Sequence, residues 1–543
     1  MVEPAKMQTA GELEEPCPPR FWWLKRCLIA VAVLVLGLGL LHWAWGWYAE
    51  RRIAQLMASC RERGEPTQVA DFPEAIVPEA ENAAPLLQKA AGLLTVSQTL
   101  LSAERNEEFR YLPFSAAAMK LLEADVQANA KVFAIVRQAR SLPGAAWNPP
   151  LSTDMPAWRQ AADVLYGAGR LADPLCHAAI HAHLHGDDAA AMEFIRDVLF
   201  IGQAIEQSNH PLSAGRAAEC TESACTKLLE IAPAMQIQGQ GPPAGPGRAV
   251  SGEQIRVIIA LLLENEQVRS QRAIRAYQAW RALLFRKSSA AVEEDITEVL
   301  CGTGRPAPAA LRGIVTAVVR PAMLLKLATV LQRFTDIISA QDPTPEWATI
   351  LARLKPESLY QLRQPKPARR TGFFLVDLVY RNTYEARPLV VFVWPRYQIV
   401  KRRVAALKLA IRWYQLEHGG QLPPTLEALV PQYLAAVPLD PFAAKGQALR
   451  YGPSAQDPMR CSILYSVGIN GIDDKPDERD WRVQSEAELY KQLDVIFPLG
   501  QRVRPGSSVS TTQATGNQDK VADNQVQAGK EEDGQKQPES GKQ

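Results

Sequence analysis

Three histidines, His177, His181 and His185, recur at every fourth position of ADPLCHAAIHAHLHGDD, with His183 between them. On a helix this spacing puts the three imidazoles on one face. Neutral imidazoles ligate zinc and other transition metals. A pair at i and i+4 can share one ion, but a third ligand further along the same rod does not close a tetrahedron. A carboxylate from another element would have to complete the shell, and the sequence singles out none. The other reading is structural, because histidines at a helix C-terminus interact favourably with its dipole. Near the C-terminal end, Asp473, Asp474, Asp477 and Asp480 crowd into INGIDDKPDERDW. Carboxylates at that density suit calcium, with backbone carbonyls completing the shell. Lys475 and Arg479 oppose a divalent cation, and an ordinary acidic surface turn is the alternative. The nucleophile and phosphate signatures HExxH, GxSxG and GxxxxGK[ST] do not occur.

Two further sets of residues have chemical potential. Arg269, Arg272 and Arg275 form a basic stripe that continues to Arg281, Arg286 and Lys287. It suits anionic lipid or an acidic partner, or else a solvated face paired with Glu264 and Glu266. The eight cysteines contain no CxxC pair, which removes the strongest zinc and redox motifs. Cys220 and Cys225 are too far apart on one helix to bridge, at roughly 8–9 Å between Cα atoms. They read as small buried hydrophobes.

The elements that position these residues begin with an apolar run. Cys27 to Tyr48, CLIAVAVLVLGLGLLHWAWGWY, has no Asp, Glu, Lys or Arg. As a helix it is long enough to cross ~30 Å of hydrocarbon. Phe21, Trp22 and Trp23 open it, and Trp43, Trp45, Trp47 and Tyr48 close it, as an aromatic belt at two interfaces requires. The run is too long for a cleaved signal, and no small-x-small site follows it. Arg20, Lys25 and Arg26 before it and Arg51 and Arg52 after it are nearly balanced, but the short leading segment favours a signal anchor with its N-terminus inside. The expected location is therefore the inner membrane, single-pass, with most of the chain exoplasmic (periplasmic). The formal net charge of +2 provides no field for nucleic acid. The expected partners are the lipid bilayer and envelope proteins; no small-molecule substrate is identifiable.

Along the chain, residues 1–20 read as a cytoplasmic tail, 21–49 as the transmembrane segment and 53–237 as an all-α domain of helical hairpins. A Gly/Pro linker covers 238–252 and a second helical region 253–371. Helices are expected over Ser115–Leu142, Asp154–His185 and Asp187–Asn209, and over a long run starting at a Ser251/Gln254 capping box. Gly186 and Asp187 supply a stop and a cap. Leu311–Gln341 is apolar but interrupted by Arg320, Pro321 and Lys326, which fits a buried core helix better than a second span. Residues 501–543 carry no aromatic side chain and little to bury, and read as a disordered tail.

The last folded module, 372–498, has the most specific pattern. Val404, Leu407, Ile411 and Tyr414 make an apolar stripe that ends at Gly419-Gly420. A Leu-Pro-Pro turn, a short helix with Leu422, Leu426, Leu429 and Val430, and an Asp440-Pro441-Phe442 turn follow. Two strands around Tyr451 and Tyr465 precede Ser466-Val467-Gly468-Ile469-Asn470-Gly471, the four aspartates and Trp481. This order, over roughly 398–490, resembles the globular part of the type II secretion major pseudopilins. It also resembles the C-terminal module of large membrane-anchored bacterial proteins with no assigned activity. The resemblance implies a small α+β module and calcium in the acidic loop, and it supplies no reaction. RRTGFFLVDLV at 369–379 mimics a prepilin cleavage site, but it is internal and followed by a stretch too polar to span. The fold expected is mainly α. The function expected is a membrane-tethered, non-enzymatic scaffold or interaction protein of the cell envelope, linked to a secretion or assembly system. The rival is a metal-dependent enzyme built on the His177, His181 and His185 cluster.

Deleting Gln501–Gln543 is expected to leave the thermal midpoint of the remaining chain unchanged, because the segment offers no core residues. Unfolding of full-length and truncated chains side by side checks this.

Overall fold

The computed structural model describes residues 21–105, 114–152, 155–238, 248–290, 309–341, 347, 349, 388–444, 446–452, 462–473 and 495–499. The expected tail, the 369–379 motif, Asp474, Asp477, Asp480 and Trp481 lie outside them. The described chain is mainly helical, with one long apolar N-terminal helix and few strands.

Helix α1, Trp22–Glu62, runs 41 residues without a break, about 60 Å at 1.5 Å per residue. Its first half is open on nearly every side, with Leu36 at 65% and Leu41 at 69% exposure. From Ala49 onward the same helix buries one face, through Ala49, Ile53, Leu56 and Cys60 at three- and four-residue spacing. That face meets Leu284 and Phe285 of α11 (Glu266–Ala290) and Met323, Leu324, Leu327, Leu331 and Phe334 of α12 (Ala309–Gln341). The interrupted apolar helix is thus packed core from Ala322 onward, as its charges implied.

Helix α1 stops in a Schellman turn. Gly64 takes φ 72°, its N–H bonds to Arg61, and the N–H of Glu65 bonds to Cys60. Glu65 then meets Arg281 of α11, whose side chain is fully buried and also donates to the Pro66 carbonyl at 3.2 Å. Burial raises the Glu65 carboxyl, but hydrogen bonds from Arg63 and Arg281 outweigh it and hold the group below its usual value.

The body is built from α2 (Ala84–Gly92), α3 (Gln98–Arg105), α4 (Ala116–Ala128), α5 (Ala130–Arg140), α6 (Met155–Gly169), α7 (Ala172–Leu184), α8 (Asp188–Ile205) and α9 (Pro211–Ile231). It continues through α10 (Gly252–Leu263), α11 and α13 (Pro388–Glu417). Helices α7 and α8 form the expected hairpin. Gly186 takes φ 77°, the Asp187 N–H reaches Ala182, and the Asp187 carboxylate caps the Ala190 N–H. At Gly202, α8 lies so close to α9 that an added Cβ would sit 3.1 Å from the Ala217 carbonyl oxygen.

Three expected helices are each two. The 115–142 segment breaks at Asn129, which is fully buried and exchanges amide bonds with Thr95. The 154–185 segment breaks between α6 and α7, where a Cβ on Gly169 would collide with Arg216. The helix after Ser251 ends at Leu263, and Asn265 turns the chain at φ 59°. The Ser251/Gln254 capping box forms as expected.

The Gly/Pro stretch does not separate two cores. Gln238 and Val250 are hydrogen-bonded across it, and Arg248 accepts from Ala189 of α8. One hydrophobic core runs from Ala83 to Leu499 and includes α9, α10 and α13. Val404, Leu407 and Ile411 are buried as the stripe required, but so are Ala405, Ala406, Leu409 and Ala410 on the other sides of α13. Tyr414 is only partly buried and stacks on His418 at 3.8 Å. The expected second helix is a single 3-10 turn, Leu426–Leu429. The sheet has three antiparallel strands in the order β1 (Arg450–Gly452), β2 (Ile463–Ser466), β3 (Val495–Pro498). Its register pairs Tyr451 with Leu464 and Leu464 with Phe497, and β3 was not anticipated.

Replacing Arg281 by Met is expected to cost about 1–3 kcal/mol, because it removes a buried charge-assisted bond and leaves Glu65 to Arg63 alone. Arg248→Met, at a pair whose arginine is 73% exposed, should cost under ~1 kcal/mol. Chemical unfolding of the detergent-solubilised chain compares the two.

Candidate functional site

Helix α7 brings its histidines to three different neighbours. His177 Nδ1 lies 2.8 Å from Oδ2 of Asp125 on α4. Asp125 is nearly buried and is also held by the Asn129 amide at 3.2 Å. Through Asn129 the network continues to both backbone groups of Thr95. His183 Nδ1 lies 2.5 Å from Asp188 Oδ1, and the other Asp188 oxygen accepts from the Gln236 N–H at 2.7 Å. His185 follows the last residue of α7, and its Nδ1 meets the His181 carbonyl at 2.8 Å. The His181 and His185 rings lie 4.2 Å apart, tilted by 34°.

His177 is thus drawn to a carboxylate, while His181 and His185 lie against each other. Burial lowers the His181 pKa, and the neighbouring His185 adds to the effect. His181 Nε2 is buried without a hydrogen-bond partner. Among the described residues, no group of three or more His, Cys, Asp or Glu side chains is placed to hold a metal ion. Of the acidic loop, Asp473 is described. It accepts from Arg450 Nε and from the Tyr465 hydroxyl, each at 3.3 Å, which ties the start of the loop to β1 and β2.

Sequence reasoning missed several polar residues at the joints of the fold. Asp440 is nearly buried and accepts three hydrogen bonds, from Phe442 N at 3.0 Å, Ser466 Oγ at 2.7 Å and Val467 N at 2.9 Å. It fastens the Asp-Pro-Phe turn to the end of β2. Trp347, also buried, donates to the Ile469 carbonyl at 2.7 Å and meets Phe442 edge-on. The Asp-Pro pair signalled a turn, but nothing local signalled these distant partners.

The basic residues of α11 and α13 are internal clamps as well. Arg269 donates to the Leu261 carbonyl, Arg403 grips Glu266, and Gln398 and Lys401 both reach Glu222 on α9. Lys408 and Arg412 donate to the carbonyls of Leu229 and Met235. Arg275 reaches Asn209 and the Asp71 carbonyl. Within the stripe, Arg269 and Arg281 are thus buried and internal, whereas Arg272, Arg275 and Arg286 are exposed, and Glu266 pairs with Arg403 rather than along its own helix. Burial raises the Glu206 pKa against the pull of Arg269, Arg402 and Arg272. Cys220 and Cys225 are free thiols, both pushed up to about 12 by burial, far from the range of a reactive thiolate.

Family models, curated proteins and solved structures were all compared with this chain, and none matches it.

His210 is a further histidine that the spacing analysis passed over. It is 1% exposed, its Nδ1 accepts the Leu212 N–H at the start of α9, and its ring lies 5.0 Å from that of Trp158. Burial pushes its pKa down to about 4. The unfolded chain therefore takes up a proton below about pH 6.5 that the folded chain refuses. His210 should thus contribute a stability loss as pH falls from ~6.5 toward 4, with a slope of up to ~1.4 kcal/mol per pH unit. His210→Asn, which keeps an acceptor for the cap, should flatten the stability profile in that window. Denaturant midpoints across the range measure the slope.

Proposed function

We propose that this protein is a membrane-tethered, non-enzymatic scaffold of the cell envelope, with its body on the exoplasmic side. The observation that carries this reading is the continuity of α1. One helix is long and apolar enough to cross a membrane in its first half and is part of the packed core in its second. A flexible tether would let the body tumble, whereas a continuous helix fixes its height and tilt above the bilayer. Fixed presentation is what a scaffold needs.

The side chains support the same reading. His177 with Asp125, His183 with Asp188, Glu222 with Lys401 and Glu266 with Arg403 each join separate segments of the fold. Such groups hold surfaces in register. The likeness of Val404–Trp481 to the pseudopilin globular part favours a secretion or assembly machine as the partner, and this is analogy of pattern alone. Calcium in the loop from Asp473 to Asp480 belongs to that same proposal.

Reporters fused after Arg63 and after Gly500 are expected to be active only when they are of the exoplasm-dependent kind. An active cytoplasm-dependent reporter at either point would overturn the orientation. Metal analysis of the purified chain is expected to show no stoichiometric zinc or iron. Stoichiometric metal that disappears in His181→Ala would replace the scaffold by the metal-dependent enzyme.

A further inference from the structure

Helix α12 runs parallel to α1. Thr335 Oγ1 lies 3.8 Å from Cys60 Sγ, and Arg320 pairs with Glu50 at 3.0 Å. Pro321 Cγ is 3.6 Å from the point where Gly46 would carry a Cβ. Residues in contact are separated by 275 and 270 positions in sequence, a nearly constant offset. Both helices rise ~1.5 Å per residue, so the register extends beyond the last contact. Carried back, it sets Ala309–Val319 beside the stretch 34–49 of α1, about the body-side two-thirds of the apolar span.

Two other observations agree with this placement. Before Ala49, partial cover on α1 is confined to Gly37, His42, Trp45 and Gly46, which lead into the buried face. The remainder of the span is open, as at Leu36 and Leu41. The sequence of the segment, AALRGIVTAVV, has one charge, Arg312, and no acidic residue.

We propose that the first three turns of α12 enter the body-side leaflet next to α1, as a second lipid-contacting helix. The bilayer is its partner, and the inference rests on the reading that α1 spans the membrane. The parallel direction makes the N-terminus of α12 the deep end. Its free N–H groups and Arg312 both need polar company. Counted back from Arg320 at ~1.5 Å per residue, Arg312 lies about 12 Å and Ala309 about 16 Å deeper, so Arg312 must snorkel toward the headgroups. The Arg320–Glu50 pair, half exposed on both sides, marks the level at which α12 leaves the lipid.

The unsubstituted full chain in proteoliposomes, labelled with a lipid-soluble carbene reagent and read by peptide mass spectrometry, tests this. Label is expected in Cys27–Leu41 and in Ala309–Val319, each roughly tenfold denser than in α7 and α8, because an apolar reagent partitions into lipid. Label in Cys27–Leu41 with only background in Ala309–Val319 overturns the second contact and leaves the span standing. Background in both overturns the span and the inference with it. A water-soluble carbene reagent should give the reverse pattern; dense aqueous labelling of Ala309–Val319 also overturns the proposal.

Discussion

Between Tyr48 and Ile53 a single helix changes from open apolar surface to a buried face, and the rest of the structure is organised around that change. Before it, α1 is mostly open and apolar, its backbone groups satisfied by the helix itself, as the proposed membrane span requires. After it, the same backbone is amphipathic and must bury Ala49, Ile53, Leu56 and Cys60 against protein. Helices α11 and α12 supply that protein, and they do so next to the helix end rather than through a linker. The end itself is then locked. Gly64 turns the chain, and the buried Arg281 draws Glu65 and the Pro66 carbonyl onto α11. An arginine with no exposure is expensive to bury. Its two acceptors across this joint, Glu65 and the Pro66 carbonyl, offset part of that cost and fix one arrangement of the helix end on the body.

The same device recurs deeper in the chain. Helix α13 is covered on all sides, yet it carries Lys401, Arg402, Arg403, Lys408 and Arg412 in its buried length. Apolar packing alone would allow such a helix to slide or rotate on α9 and α10. Lys401 on Glu222, Arg403 on Glu266, and Lys408 and Arg412 on the carbonyls of Leu229 and Met235 remove that freedom. The polar pairs set register, while the alanines and leucines around them provide close packing.

Features settled by a few adjacent residues were legible in the sequence. Gly64, Gly186 and Gly419 with Gly420 ended helices where left-handed backbone was needed, and Ser251 with Gln254 began one. The interrupted run at Arg320 and Pro321 was legible as core because charge and proline argue against a plain span. Features settled by distant partners were not legible. Asn129 breaks a helix in favour of Thr95, thirty-four positions away. Asp440 reads as a turn former until Ser466 and Val467 arrive. The arginines of α11 showed their charge in sequence, but Glu65, Asp71 and Asn209 come from other segments. At the candidate site the histidine spacing was real, and the carboxylates that take His177 and His183 were the missing half.

Those carboxylates also bear on what kind of protein this is. A catalytic imidazole presents a free nitrogen to a cavity, with the other nitrogen held by an orienting group. In this fold the held nitrogens of His177 and His183 point to Asp125 and Asp188, and each aspartate in turn binds backbone or amide groups of a further segment. Asp125 joins α4 to α7, and Asp188 joins the end of α7 to Gln236. These contacts support the proposed scaffold reading, because the imidazoles of His177 and His183 tie α7 to α4 and to the start of α8.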